Sequence, residues 1–512
     1  MKGSAMSQEV KDYKSLLEIS KKAKTLSGID MLLGWDQETY MPSGAAPARA
    51  SQIELMANLI HTEKTSKPFA KALAKLIDIK TGALIAKKLP QPQQAALREW
   101  RKEYIKLNAL PTSFVQAFAK LTSESMHVWA DAKKNNTFKT FAPYLEKIVD
   151  MSRQRAEYFG YSDHPYDALI DDFEPNMTKK ELTPLFSHLQ KNLSELLKRI
   201  TKAKQVDDSF TNGDVPAQKQ LEFSWTILNA MGFDKKYGSL DLSSHPFSTA
   251  SHPTDSRITT RIHPTSLVSN IMAILHEAGH GLYEMGLPAE HYGSPLCEAV
   301  SLGIHESQSR LWETRIGQSK PFWEHFLPLM KKAYNGNLAK VSLDAFYRAI
   351  NKVEPSFIRV EADEVTYPLH VIIRFEIESA LIEGSLKAKD LPEAWNAKMK
   401  QYLGIAPKTD REGCLQDIHW SMGAIGYFPT YTLGTLYSSQ FFTAFEKKFT
   451  NWKERVAKGD LLFIREWLGK EVHQHGQRYS AEELSKQITT KKLTPEPFLS
   501  YLETKYSDIY KL

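Results

Sequence analysis

Apolar residues recur at three- and four-residue steps along most of this chain. Phe114, Phe118, Leu121, Ser125 and Val128 follow that spacing, mostly apolar, with polar residues between them. Such a period lays one apolar stripe along a helix and predicts burial of that face. Pro111-Thr112 stands where this helix should begin. Similar patterns predict helices over 11–26, 180–203, 343–353, 441–457 and 481–489. Alternation with period two is scarce. Residues 257–262 are the best strand candidate, with a break expected at His263-Pro264. Residues 204–220 are polar, contain Asn212-Gly213 and Pro216, and read as a loop. That loop divides an N-terminal helical part, 1–203, from a second part, 221–512. No internal repeat or low-complexity segment interrupts either.

Composition narrows the partners. A chain of 512 residues can bury a large core. Its formal charge of +6 is small for that length, and cations and anions are interleaved, as in Arg101-Lys102-Glu103 and Glu446-Lys447-Lys448. The pairs Lys133-Lys134 and Lys491-Lys492 read as solvated surface. No basic stripe marks a nucleic-acid binder, so a peptide or small molecule is the expected partner. The two cysteines, Cys297 and Cys414, imply no disulfide framework and suit a reducing compartment; both are expected to be buried as small apolar residues. Residues 1–10 lack the apolar run of a signal peptide. No stretch is long and apolar enough for a membrane span. A cytoplasmic protein without membrane contact is the expectation.

One motif carries candidate chemistry. His276-Glu277-Ala278-Gly279-His280 reads H-E-x-x-H. Residues four apart share a helix face, so both imidazoles can reach one ion. Zinc suits nitrogen ligands, and a catalytic site needs three protein ligands with one position open. Glu277 is rotated about 100° from His276 on the same helix, which sets its carboxylate beside a metal-held water as a general base. Thr265 or Ser266 is expected to cap this helix and Gly286 to end it. Leu267, Ile271, Ile274, Leu275 and Leu282 predict that it is buried.

A third ligand is required. Residues 301–316 read as a second helix, with Ser301 as N-cap and Gly317 at its end. It carries His305-Glu306-Ser307-Gln308, and either His305 or Glu306 could ligate. A helix aims only one of two adjacent residues at an ion, and the turn through Gly293, Ser294 and Pro295 lets the two helices pack antiparallel. Glu306 is favoured, because a helix-borne glutamate completes one large class of H-E-x-x-H sites. The other large class needs a glycine where Tyr283 stands and a histidine where Gly286 stands.

Further motifs make the chain resemble a known family. His245-Pro246-Phe247 matches H-P-F, and Asp255-Ser256-Arg257-Ile258-Thr259 matches D-x-R-x-T. Ile358-Arg359-Val360-Glu361-Ala362-Asp363 matches I-R-x-x-A-D. Gly413-Cys414-Leu415-Gln416-Asp417-Ile418-His419-Trp420 matches G-x-x-Q-D-x-H-W. With the H-E-x-x-H and H-E-S-Q segments, and with the segment from Trp35 to Pro42, these resemble the carboxypeptidase Taq family of metallocarboxypeptidases over most of the chain. The resemblance implies a mainly α fold with a deep central cleft and few short strands near the zinc helix. It is distantly similar to angiotensin-converting enzymes and neurolysin-type oligopeptidases. It implies one catalytic domain over 1–512, a cytoplasmic homodimer, and one zinc per chain that cobalt can replace. It also implies removal of single residues from free peptide C-termini with broad specificity, usually excluding a C-terminal proline.

The same resemblance suggests roles for other side chains. A guanidinium grips a carboxylate with two parallel hydrogen bonds, which makes Arg359 the expected anchor for a substrate C-terminus, with a salt bridge to Glu361 or Asp363 as its structural alternative. Arg257 is a second candidate. Tyr431, and then Tyr427, are expected to face the metal and donate to the oxyanion of the scissile carbonyl. His245 and His419 are candidates for bonding substrate or transition state, and Asp417 for orienting an imidazole. His473-Gln474-His475-Gly476 reads as a cleft-lining or structural loop, not a second metal site. The alternatives are an oligopeptidase cutting internally, a peptide-binding protein without catalysis, and a helical scaffold with a structural zinc. The last would normally show four protein ligands rich in cysteine, and neither cysteine has ligand spacing.

Overall fold

Stripes of apolar residues become helices in a computed structural model, which describes residues 6–263, 265–334 and 338–512. The chain is 68% helical, with three short strands among the described residues. Thr112–Asn135 begins where Pro111 sets it and ends at Asn136 in the left-handed region. Lys179–Lys202 and Ala481–Thr489 each open on a capping box, Thr178 with Glu181 and Ser480 with Glu483. Leu343–Ile350 starts from the Ser342 cap. The stretch 11–26 lies in the first half of a longer helix, Gln8–Thr39, which runs on through Gly28 and Gly34 to Tyr40.

Two expectations are corrected. The helix expected over 441–457 is two, Pro429–Lys448 and Trp452–Ala457. Phe449 leaves helical geometry, and its ring packs between Phe445 and Phe463 at 5.0 and 5.3 Å. The interruption follows from aromatic packing and carries no Pro or Gly signal. The loop expected over 204–220 is shorter, because Pro216 caps a helix, Ala217–Met231.

The strand expected over 257–262 is β3, Asp255–Thr260. It is the middle of a sheet of order β1-β3-β2, parallel to β1 (Gly238–Leu242) and antiparallel to β2 (Ser248–His252). Pro264, half of the expected break, lies outside the described residues. Both cysteines are buried and unpaired.

Buried apolar side chains form two clusters. The smaller joins Tyr13, Leu16, Phe69, Leu73, Leu97 and Trp100 to Leu296 from far along the chain. The larger runs from Ala132 to Tyr510 and includes Leu182, Phe186 and Leu189 of Lys179–Lys202 as well as Ile271, Ile274 and Leu275. The sheet lies against the helix that holds the last three. A Cβ on Gly281 would come within 3.1 Å of both Ile258 and Ser256, so β3 fixes that helix at close range.

Candidate metal and substrate site

The H-E-x-x-H segment lies in a helix, Ser269–Gly286. The expected cap is corrected: the helix starts after Val268 with no side-chain cap, and the Ser266 hydroxyl accepts the Ser269 N–H at 3.2 Å. The second helix, Leu302–Arg310, is capped by Ser301, whose hydroxyl accepts the Ile304 N–H at 3.0 Å. It then widens into a π turn over Leu311–Gly317. The helices run antiparallel, with His280 beside His305 and His276 beside Glu313. Gly279 permits the approach: a Cβ there would sit 2.6 Å from the Gln308 carbonyl oxygen and the Ser309 Cα.

Three donor atoms converge. Glu306 Oε2 stands 3.6 Å from His276 Nε2 and 3.4 Å from His280 Nε2. Bonds of about 2.0–2.2 Å at a tetrahedral angle put donors roughly 3.3–3.6 Å apart, so the spacing fits a tetrahedral ion with one open position. Among the described residues this is the one group of three with metal-ligand proximity. The other ring nitrogens are occupied. His276 Nδ1 meets Glu313 Oε2 at 2.8 Å. His280 Nδ1 meets His305 Nδ1 at 2.6 Å, and His305 Nε2 meets Glu284 Oε1 at 2.8 Å. With His305 accepting from His280 and donating to Glu284, His280 turns a bare Nε2 toward Glu306, and His276, whose Nδ1 is held by Glu313, turns its Nε2 the same way.

Electrostatics agree with this arrangement. Burial favours a neutral Glu306, but His276 and His280 outweigh it and hold its pKa at about 2. Burial opposes charge on His276 as well, yet Glu306 and Glu313 raise its pKa to about 9; a divalent cation would take the place of that proton. Burial lowers His280 to about 4. Glu277 is 7% exposed, and burial raises its pKa to about 7, near neutrality, where a general base works best.

A second cluster adjoins the first. The helix Pro429–Lys448 presses Gly434 onto Glu306, where a Cβ would lie 2.4 Å from Glu306 Cγ. Tyr431 precedes Gly434 by about one turn. Its hydroxyl bonds His419 Nε2 at 3.1 Å, its ring is 5.3 Å from that of Tyr427, and the Arg359 guanidinium lies 4.8 Å above it. Arg359 is corrected as to its partner, which is neither Glu361 nor Asp363. Its Nε and Nη2 both donate to Asp417, at 3.0 and 2.9 Å, and Nη1 donates to the Tyr367 hydroxyl at 2.9 Å. Of five N–H groups, one on each terminal nitrogen is left. Asp417 also accepts from Arg374 Nε at 2.7 Å, so it orients two guanidinium groups and no imidazole.

His245 and Arg257 have other surroundings. His245 is exposed in the turn between β1 and β2. Arg257 is paired with Asp255 at 2.8 Å and lies 4.5 Å from the Trp35 ring, and strand alternation puts it on the sheet face opposite Ser256 and Ile258. His473 is buried and bonds Gln308 at 3.0 Å. The sequence reading missed Glu284, Glu313, Arg310 and Tyr367. Glu284 had a signal, four residues after His280 on one helix. Arg310 donates to Glu313 at 2.8 Å and lies 5.0 Å from the Tyr367 ring, linking the two clusters.

The chain matches known proteins over nearly its whole length. The model of the carboxypeptidase Taq (M32) metallopeptidases matches residues 15–506. Thermostable carboxypeptidase 1 of Thermus thermophilus is 40% identical, covering 97% of this chain and 99% of its own. Carboxypeptidase 1 of Bacillus subtilis is 36% identical, covering 98% and 100%. The crystal structure of the M32 carboxypeptidase from Deinococcus radiodurans superposes with a TM-score of 0.95 at 36% identity, over 98% of this chain and 100% of that one.

Proposed function

This chain belongs to the carboxypeptidase Taq (M32) family and is a metallocarboxypeptidase acting on peptides; from that premise we propose that His276, His280 and Glu306 hold its divalent ion. The observation that carries this is the 3.4–3.6 Å spacing of their donor atoms. We infer zinc, one per chain, with cobalt able to replace it, from two nitrogens and one oxygen in a tetrahedral arrangement. When bound, the ion supplies a Lewis acid that acidifies water and polarises the scissile carbonyl.

The residues divide the rest of the work. Glu277 accepts the proton of the attacking water and delivers it to the leaving amine. Tyr431, assisted by Tyr427, donates its O–H to the developing oxyanion, and His419 holds the Tyr431 hydroxyl in place. The two remaining N–H groups of Arg359 grip the terminal carboxylate of the peptide, in a guanidinium that Asp417 and Tyr367 hold rigid. One residue leaves per cycle because the anchor lies one residue beyond the cut. His245, exposed between β1 and β2, and Arg257, paired with Asp255, would meet substrate only away from the scissile bond. Residues 1–512 act as one catalytic domain, in a cytoplasmic homodimer without nucleic-acid partners. No helix among the described residues is long and apolar enough to cross a membrane.

The test is a blocked peptide with a free C-terminus, incubated with the protein and zinc or cobalt and read by mass spectrometry. Stepwise loss of C-terminal residues is expected, absent with the amidated peptide and with Glu277→Gln. Internal cuts that ignore amidation would instead make the protein an oligopeptidase.

A further inference from the structure

Glu174 is wholly buried and far in sequence from both ligand helices, and no step of peptide hydrolysis uses it. It stands in the turn after a short helix, Pro165–Ile170. That turn is firmly held. The Glu174 N–H donates to the Ile170 carbonyl at 2.8 Å, and Asp171 accepts the Asn176 N–H at 2.7 Å. Tyr166, Leu169 and Ile170 anchor it in the larger apolar cluster. Burial raises the Glu174 pKa to about 7, against the pull of the Ser301 hydroxyl, the Gly303 N–H and the Tyr437 hydroxyl. A buried carboxylate is costly unless such donors hold it.

These donors come from the two helices that enclose Glu306. A helix begins with N–H groups that have no partner within it, and in Leu302–Arg310 the first three are all taken. The Phe173 carbonyl accepts from Leu302 at 3.1 Å, Glu174 Oε2 from Gly303 at 2.9 Å and the Ser301 hydroxyl from Ile304 at 3.0 Å. The helix dipole favours a carboxylate at this end. Gly303 permits the contact, since a Cβ there would lie 2.5 Å from Glu174 Oε2. Tyr437 stands on Pro429–Lys448, one turn past the Gly434 that presses on Glu306, and Gly303 stands one turn before Glu306. Residues three apart share a helix face, so each helix meets Glu174 about one turn from the point where the two helices meet each other. Phe173 adds a further link, its ring 5.1 Å from that of Tyr427. With Glu306 as a metal ligand, we propose that Glu174 is its positioning residue, joining the first turn of Leu302–Arg310 to Pro429–Lys448 and so setting where the Glu306 carboxylate stands.

Zinc affinity, read by chelator competition on the full-length protein well below its melting temperature, tests this. Glu174→Ala should weaken zinc binding by about tenfold or more. Glu174→Gln keeps an oxygen for the Gly303 N–H and should recover most of that loss. Leu189→Ala, which opens a cavity in Lys179–Lys202 and lowers stability without touching either ligand helix's first turn, should bind zinc as the wild type does. That contrast separates positioning from general destabilisation. Glu306→Gln should lose zinc; if it does not, the ligand assignment fails and Glu174 has nothing to position. If Glu306→Gln loses zinc while Glu174→Ala binds it as tightly as the wild type, the positioning role alone is overturned. Equal losses in Glu174→Gln and Glu174→Ala, or in Leu189→Ala and Glu174→Ala, would overturn it too. If Glu174→Ala does not fold, Glu174→Asp decides, because it keeps the charge and withdraws it by one methylene: weakened zinc binding supports the role, and wild-type affinity overturns it.

Discussion

A neutral imidazole offers one nitrogen to a metal only when the other carries the proton, and each ligand histidine has a partner for that second nitrogen. His276 has a carboxylate, Glu313, whereas His280 has an imidazole, His305, backed by Glu284. Partners of this kind typically govern metal affinity by 10- to 100-fold. His305→Ala should therefore weaken zinc binding by about that factor, read by competition with a chelator, with the circular dichroism spectrum unchanged. Glu277→Gln separates binding from chemistry: metal affinity stays, and kcat falls by about a hundred- to ten-thousandfold. Asp417 differs in kind. Burial would raise its pKa, but Arg374 and Arg359 outweigh that and hold it below the usual 3.8. Its charge then contributes stability fully above pH 3.8, and that contribution is lost as pH falls through the depressed value. Asp417→Asn leaves two buried guanidinium groups poorly paired and should cost about 3–5 kcal/mol at neutral pH. Denaturant titration should find that gap narrowing below pH 3.8. The convergence of His276 and His280 was readable from spacing, because four residues on a helix is a local rule. Spacing left His305 and Glu306 both open, and only likeness to one class of H-E-x-x-H sites favoured Glu306. The partner of Arg359 was not readable, because Asp417 is brought beside it by the packing of distant segments.

Between elements, the site depends on glycines where a backbone crosses a ligand. Gly434 brings the helix Pro429–Lys448 onto Glu306, and no conformational demand on its own φ is involved. Gly434→Ala must displace either that helix or Glu306. Moving Glu306 spoils the donor spacing, so a loss of metal affinity well beyond the fall in thermal stability is expected. Overpacking of this kind costs about 1–3 kcal/mol. An alanine variant that binds zinc as tightly as the wild type would show that Glu306 is not held from this side. The two helices that bear the ligands, their antiparallel packing and the Ser301 cap were legible in apolar periodicity and capping residues. The π turn was not. One extra residue per turn leaves no mark in a seven-residue stretch, yet it aims Glu313 at His276 and Arg315 away from it. β1 and β2 escaped for another reason. Ser239-Leu240-Asp241-Leu242 alternates, but over four residues only, and Ser248–His252 holds a single apolar residue, Ala250, so neither stretch is long or apolar enough to stand out as a strand.

In the molecule as a whole, two hydrophobic clusters of unequal size lie in one chain, and the polar loop near residue 204 does not separate them. Lys179–Lys202, on its N-terminal side, is built into the larger cluster with the ligand helix. The smaller one, between Tyr13 and Trp100, takes in Leu296 from far along the chain, and mostly polar contacts join its helices to the rest, among them Lys24–Glu298 at 2.7 Å, Tyr40–Asp241 at 2.6 Å and Lys106–Asp172 at 3.0 Å. Few shared apolar contacts mean weak coupling, and weakly coupled units open separately in the native state. Hydrogen exchange followed by mass spectrometry should find amides of Gln8–Thr39 and Gln91–Ala109 exchanging through an opening of lower free energy than those of Lys179–Lys202 and Ser269–Gly286. Metal makes the distinction sharper. Saturation at about a thousandfold over Kd adds roughly 4 kcal/mol to any state that keeps the site intact. If the smaller cluster opens without disturbing His276, His280 and Glu306, zinc should slow exchange in Lys179–Lys202 and Ser269–Gly286 and leave Gln91–Ala109 as it was. Equal slowing in all four helices would mean that the two clusters unfold as one unit. Lys24 and Leu296 would then be the place to look for the coupling, because Lys24 faces Glu284 as well as Glu298, and Glu284 ends the hydrogen-bonded chain that holds His280.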